Sequence, residues 1–232
     1  AWGKESVNTP TTNSRLQITL MALELALASL LEDVFSQKPI LVTGHSLGEV
    51  IALAHAEAFD FDSGCRLIKL RGEAMEAAGL RVEQDMLVIF GGLSSEIQEI
   101  IAQFSSISLA NINSENQIVV GGIRQELVQF SSMLQAKIKV ASRLLGNRVA
   151  CHTPLLNEAS LQVAEMIDCI SFSTPKVPYF AVATGNTMTA THTIQSHLRE
   201  QMIRSVDWLS ATRKLSEMGG DSVSWIEVSP AK

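Results

Sequence analysis

Pro39-Ile40-Leu41-Val42-Thr43-Gly44-His45-Ser46-Leu47-Gly48-Glu49 joins a short apolar run to a G-x-S-x-G turn. Val50-Ile51-Ala52-Leu53-Ala54-His55-Ala56 follows and is rich in helix formers. Strand, tight turn and helix is the setting of a nucleophile elbow, in which a serine hydroxyl stands above a sheet at a helix N-terminus. Gly44 and Gly48 are expected to remove Cβ atoms that clash at so sharp a turn. Helix-end N–H groups there stabilise a developing oxyanion. The competing reading is a glycine-rich turn with an incidental serine.

Working outward, Leu16–Phe35 reads as a helix, with Leu16, Leu20, Leu23, Leu27, Leu30, Leu31 and Val34 near helical spacing. Asn8–Asn13 before it is a polar turn region. Past the elbow, Asp62 or Ser63 is expected to cap a helix running to about Ala78. Alternating elements of this kind give an α/β core with a mostly parallel sheet. From Met86 the rhythm changes. Strand 86–90, helix 94–104, strands 107–112 and 117–121 joined through Asn113-Ser114-Glu115-Asn116, helix 125–135 and strand 138–144 spell β-α-β-β-α-β, the ferredoxin-like order. The expected architecture is therefore a hydrolase-like α/β core, residues 1–85 and 146–232, with an inserted ferredoxin-like subdomain, residues 86–145. Later core elements are helix 157–167, strand Val177–Ala183, helices 192–202 and 206–218, and a last strand Val223–Val228.

The 232 residues are 46% hydrophobic and 18% charged, which predicts a sizeable core. A net charge of −6 argues against general nucleic-acid or membrane-surface binding. Cys65, Cys151 and Cys169 show no C-x-x-C pairing, which points to a reducing cytoplasm without disulfides. No signal-peptide pattern is seen, and the apolar Leu20–Leu31 is too short to span a bilayer. The chain opens on Ala1 rather than methionine, so a fragment is expected.

A serine nucleophile needs a base, most often histidine. His45 adjoins Ser46 and should point away from the hydroxyl; His55 lies within the elbow helix; His192 and His197 sit in a polar helical region and read as solvated. His152, in Asn147-Arg148-Val149-Ala150-Cys151-His152-Thr153-Pro154, occupies a loop where the inserted unit ends, a natural cleft position. No aspartate partner announces itself; Asp168 is nearest but ends a helix. Arg71 falls inside the apolar stripe of Leu67, Leu70, Ala74 and Ala78. It reads either as a buried or snorkelling structural arginine or as a bidentate clamp for a substrate carboxylate.

At this point the chain resembles the malonyl-CoA:acyl-carrier-protein transacylases and the acyltransferase domains of polyketide and fatty acid synthases. Gly44-His45-Ser46-Leu47-Gly48-Glu49 is similar to their GHSxGE motif, and Arg71-Gly72 lies where they place a carboxylate-binding arginine. Asn111-Ile112-Asn113-Ser114 with Gln117 to Gly121, Cys151-His152-Thr153-Pro154, Gln201-Met202 with Val206-Asp207-Trp208, and Ile226-Glu227-Val228-Ser229-Pro230 resemble further family motifs in order. The resemblance implies Ser46 as nucleophile, His152 as base, and Gln201 orienting His152 through its main-chain carbonyl. It implies Arg71, Leu47, Met75 and Asn113 as substrate-binding residues, with Leu47 giving an oxyanion-hole N–H. It implies no metal and no bound cofactor, and malonyl-CoA and acyl carrier protein as partners.

Departures accompany it. No G-Q-G loop precedes Ala1, and the chain stops at Lys232, where family members continue. Ser205 replaces a proline, Ser229 and Ala231 replace glycines, Gln84-Asp85 stands where a glycine turn is common, and Cys151 stands where malonyl-selecting polyketide domains often carry phenylalanine. Between Leu127 and Asn157 there is no Asp or Glu, while Lys137, Lys139, Arg143 and Arg148 all fall there. Carrier docking is expected near these four, since steering needs local rather than net charge. The alternatives are a polyketide acyltransferase using other extender units, a serine thioesterase or hydrolase, and a non-catalytic docking module.

Overall fold

The computed structural model describes residues 12–220 and 223–229. The expectations for residues 8–11 and 230–232 lie outside them. Helix α1 (Asn13–Phe35) starts at Thr12, whose side chain accepts from the Arg15 N–H. Helix α2 (Leu47–His55) is the elbow helix, and α3 (Phe61–Arg81) begins at Asp60 rather than at Asp62 or Ser63. The Asp60 carboxylate takes both the Ser63 N–H and the Ser63 hydroxyl at 2.8 Å and so caps the helix two residues earlier than expected.

Four strands then form the ferredoxin-like unit: β1 (Gln84–Ile89), β2 (Ser108–Ser114), β3 (Gln117–Ile123) and β4 (Ser142–Leu144), with α4 (Ser95–Ile101) after β1 and α5 (Arg124–Ile138) after β3. Their order is β4-β1-β3-β2, all antiparallel. β4 is shorter than expected, because α5 runs on to Ile138 and Lys139 caps it in the left-handed region. β1 is buried on both faces. Leu87 and Ile89 meet Ile97, Ile100, Leu127, Phe130 and Leu134 beneath the helices. Met86 and Val88 turn the other way and pack with Ala110, Val119 and Cys151. The unit's back face is thus continuous with the loop that carries His152.

The remaining elements are α6 (Asn157–Asp168), a hairpin of β5 (Tyr179–Ala181) and β6 (Asn186–Met188), α7 (Thr191–Glu200), β7 (Val206–Asp207) and α8 (Trp208–Gly219). The main core gathers α1, α2, α3, α6 and α7 around Met21, Leu53, Ile68, Tyr179 and Ile194, each fully buried.

The five-stranded sheet is mixed rather than mostly parallel. Its parallel pairing is β7 on β2, and among the described residues the core adds one isolated parallel bridge, Val42 with Tyr179. Two backbone bonds of 2.9 Å hold that bridge, Val42 N–H to Pro178 and Phe180 N–H to Val42. The neighbouring Ile40 is 72% exposed, so stretch 39–43 does not propagate as a ladder. Stretch 223–228 also joins no sheet; its alternating residues find no strand edge, and propensity without a partner does not make a strand. No helix among the described residues is long and apolar enough to cross a membrane.

Helices α1 and α3 approach closely at Gly72, where an added Cβ would lie 2.3 Å from the Ser14 Cα. Replacing Gly72 with alanine pushes α1 outward and should cost about 1–3 kcal/mol, as overpacking does. Urea unfolding checks this, and an unchanged midpoint would show that α1 yields freely.

Candidate active site

The elbow is built on backbone strain. Ser46 sits at φ 55°, ψ −111°, a conformation open to non-glycine residues only where the surroundings enforce it. A Cβ on Gly44 would lie 2.1 Å from the Gly48 carbonyl carbon, so Gly44 is what lets the turn close. Gly48 contributes differently. A Cβ there would meet nothing within 4 Å, so the clash expected at Gly48 does not arise. Leu47 opens the helix, where N–H groups have no intrahelical acceptor.

His152 is 3% exposed, and its Nε2 accepts from the Ser46 hydroxyl at 2.8 Å. Its Nδ1–H donates to the Gln201 carbonyl at 3.0 Å and the Arg204 carbonyl at 3.1 Å. Two carbonyls on one nitrogen fix the tautomer, leaving Nε2 with its lone pair toward the serine. No carboxylate is needed for this. The Gln201 side chain adds a second link, donating from Nε2 to the Ser46 carbonyl at 2.6 Å. His152 itself takes φ 61°, and its N–H is held by the Met202 carbonyl.

Arg71 closes the group. It is 4% exposed; one guanidinium nitrogen donates to Ser46 Oγ at 3.2 Å and another to Gln17 Oε1 at 2.6 Å. Its Nε, also buried, has no hydrogen-bond partner among the described residues. Among those residues Arg71 also forms no salt bridge, although the Glu49 charge acts on it from a distance. Sequence reasoning does not single out Gln17; its signal is a polar side chain four residues before Met21 on the core face of α1. Met75 lies one turn beyond Arg71, with its sulfur 3.4 Å from Gln17 Nε2. Asn113 stands apart, on β2, donating to Gln117 at 2.8 Å and interacting with His45. The structure therefore brings Ser46, His152, Gln201, Arg71 and Leu47 together, puts Met75 behind Arg71, and leaves Asn113 at the hairpin beside His45.

His45 points away from the serine, toward Asn111 at 3.3 Å and edge-on to Trp208. His192 is exposed, as expected, but His197 is buried rather than solvated. Ile194, His197, Leu198 and Gln201 share one face of α7, and the polar residues around them mask that stripe.

A family model described as "Acyl transferase domain" matches residues 5–231. The chain belongs to the acyl transferase family. Among relatives, it is 30% identical over 185 residues to the polyketide biosynthesis malonyl CoA-acyl carrier protein transacylase PksC of Bacillus subtilis, which covers 78% of this chain and 63% of that protein. The chain thus spans under two thirds of that relative's length. A crystal structure of FabD from Acinetobacter baumannii superposes with a TM-score of 0.86 at 25% identity, over 95% of this chain and 71% of that one. The malonyl-transacylase in the complex PlMCAT:AntF, bound to its type II PKS acyl-carrier protein, matches with a TM-score of 0.83 at 27% identity, over 90% of this chain and 68% of that one.

Burial, with the cationic Arg71 and the His45 ring nearby, holds the His152 imidazole down to about 3, against the pull of its two carbonyls. Burial likewise lowers His45, opposed by Asn113 and Glu49. In the unfolded chain both return to about 6.5 and take up protons below it, while folded His152 stays neutral. Stability is therefore whole above pH 6.5 and falls as the pH drops from there toward 3. The thermal midpoint of this acyl transferase should decline on acidification from pH 7 to about 4.5, with a shallower slope for His152→Gln. Equal slopes in the two proteins would contradict the assignment.

Proposed function

We propose that this chain moves a malonyl group from malonyl-CoA to the phosphopantetheine thiol of an acyl carrier protein through a malonyl-serine ester. The observation that carries the reading is the buried Arg71 guanidinium, which touches the Ser46 hydroxyl and forms no salt bridge among the described residues. A desolvated cation beside a nucleophile selects an acyl group bearing a carboxylate. A simple thioesterase has no use for it.

The chemistry runs in two halves. His152 Nε2 takes the Ser46 proton as Oγ attacks the thioester carbon. The oxyanion that forms faces the Leu47 N–H at the start of α2. Collapse breaks the C–S bond, and the leaving thiolate takes the proton from His152. In the second half the carrier thiol gives its proton to His152, attacks the ester carbon, and Ser46 leaves with that proton restored. Arg71 holds the malonyl carboxylate throughout, Gln201 keeps the imidazole aimed, and Met75 backs the Gln17–Arg71 pair. Cys151, beside Arg71, stays a neutral thiol, because burial pushes its pKa up.

For the carrier, the reading rests on local charge. Lys137, Lys139, Arg143 and Arg148 are all exposed, on the end of α5, on β4 and in the loop toward His152. An acidic carrier meeting these four is steered toward the loop that holds the base. The PksC and PlMCAT:AntF names support a carrier partner for the relatives; here it is carried over as part of the proposal.

Ser46→Ala should abolish the covalent acyl-enzyme that intact-mass spectrometry detects after incubation with malonyl-CoA. An adduct that persists would remove Ser46 from its role. Arg71→Ala should lose malonyl transfer by about 3–5 kcal/mol, the loss on breaking a buried charge pair, and acetyl transfer far less. Rates with the two thioesters decide; equal losses would make Arg71 structural.

A further inference from the structure

Beneath the elbow lies a second cluster that the acyl transfer does not use. The Glu49 carboxylate is 1% exposed, three residues past Ser46 on α2. The Tyr179 hydroxyl donates to its Oε2 at 2.5 Å, and His197 Nε2 bonds the same oxygen. Tyr179 and His197 stand 3.2 Å from each other. Each belongs to an element that fixes one part of the site. Tyr179 is the residue that Val42 bridges, on the run entering the elbow. Glu49 donates its N–H to the Ser46 carbonyl. His197 is one helical turn before Gln201, whose carbonyl holds His152 and whose amide holds Ser46.

We infer that Glu49, Tyr179 and His197 are positioning residues, a buried hydrogen-bonded bridge that sets the distance between the elbow helix and the Gln201 carbonyl and so aims His152 at Ser46. The inference rests on the proposed roles of Ser46 and His152. A carboxylate so deeply buried persists only when hydrogen-bonded, so its partners are held as firmly as it is. Burial and Glu49 raise the Tyr179 hydroxyl well above its ordinary range, which keeps it a donor. The bridge resists rotation of α7 about its axis, the motion that would swing the Gln201 carbonyl off Nδ1.

The test is the rate at which a fluorophosphonate probe labels Ser46 in the whole chain at neutral pH, with Ser46→Ala as the blank and thermal unfolding beside it. Moving the Gln201 carbonyl misaims His152 and so slows proton removal from Ser46. His197→Leu should slow labelling about ten- to a hundredfold, the scale of a misplaced group. His197→Gln, which returns an N–H donor toward Glu49, should recover most of the rate. Tyr179→Phe, which deletes one oxygen from an intact ring, should slow labelling too, but less. An unchanged rate in Tyr179→Phe and His197→Leu overturns the bridge, as does a loss that His197→Gln fails to recover. A wild-type chain that takes no label overturns the reading of Ser46, and the bridge with it.

Discussion

Ser46 is held in a backbone conformation that an L-residue does not choose, at φ 55° and ψ −111°. Such strain costs of order 1–3 kcal/mol and lasts only while neighbours over-determine it. Much of the fold does this. The missing side chain at Gly44 opens the turn, and the Val42–Tyr179 bridge and the Thr43 hydroxyl on the Phe180 carbonyl anchor the chain entering it. The Glu49 N–H and the Gln201 amide hold the Ser46 carbonyl from two sides. Gln201, whose side chain helps hold the strained residue, also places the imidazole through its main-chain carbonyl.

The second constraint is electrostatic. Arg71 is buried with no salt bridge among the described residues, and His152 is buried beside it. Burial first, and the guanidinium second, disfavour a positive charge on the imidazole, which therefore stays neutral and keeps its lone pair toward the serine. The cation and the base are thus not independent parts. Gln17 makes the arrangement tolerable by giving the guanidinium a neutral acceptor, and it reaches Arg71 because Gly72 lets α1 close onto α3.

What is legible in the sequence follows from range. The elbow, the helices and the β-α-β-β-α-β order are local patterns, and residues 39–56 and 86–144 carry them in apolar period and turn residues. Composition over-reads the parallel strands: stretches 39–43 and 223–228 have strand character, but pairing is a property of the neighbour and not of the segment. The site is legible in part. Arg71 breaks an apolar stripe, and His152 stands in a junction loop; yet neither spacing nor composition chooses between structural and chemical roles without the resemblance. Gln17, Glu49, Tyr179 and His197 escape a sequence reading, because a buried polar residue is defined by partners far along the chain. Gln84 is the same case: its side chain ties the Ala78 carbonyl to the Ala150 N–H, bracing the loop that ends in His152.

The bonds that make the site span long stretches of chain. Ser46 meets His152 across 106 residues and Gln201 across 155, and Arg71 reaches Gln17 across 54. Contacts of such separation are made only once their loop-closure entropy has been met. A partly folded chain therefore keeps the local turn sequence around Ser46 without the distant groups that surround its hydroxyl in the complete fold. The environment of Ser46 is in this sense a property of the finished tertiary structure and not of the elbow by itself.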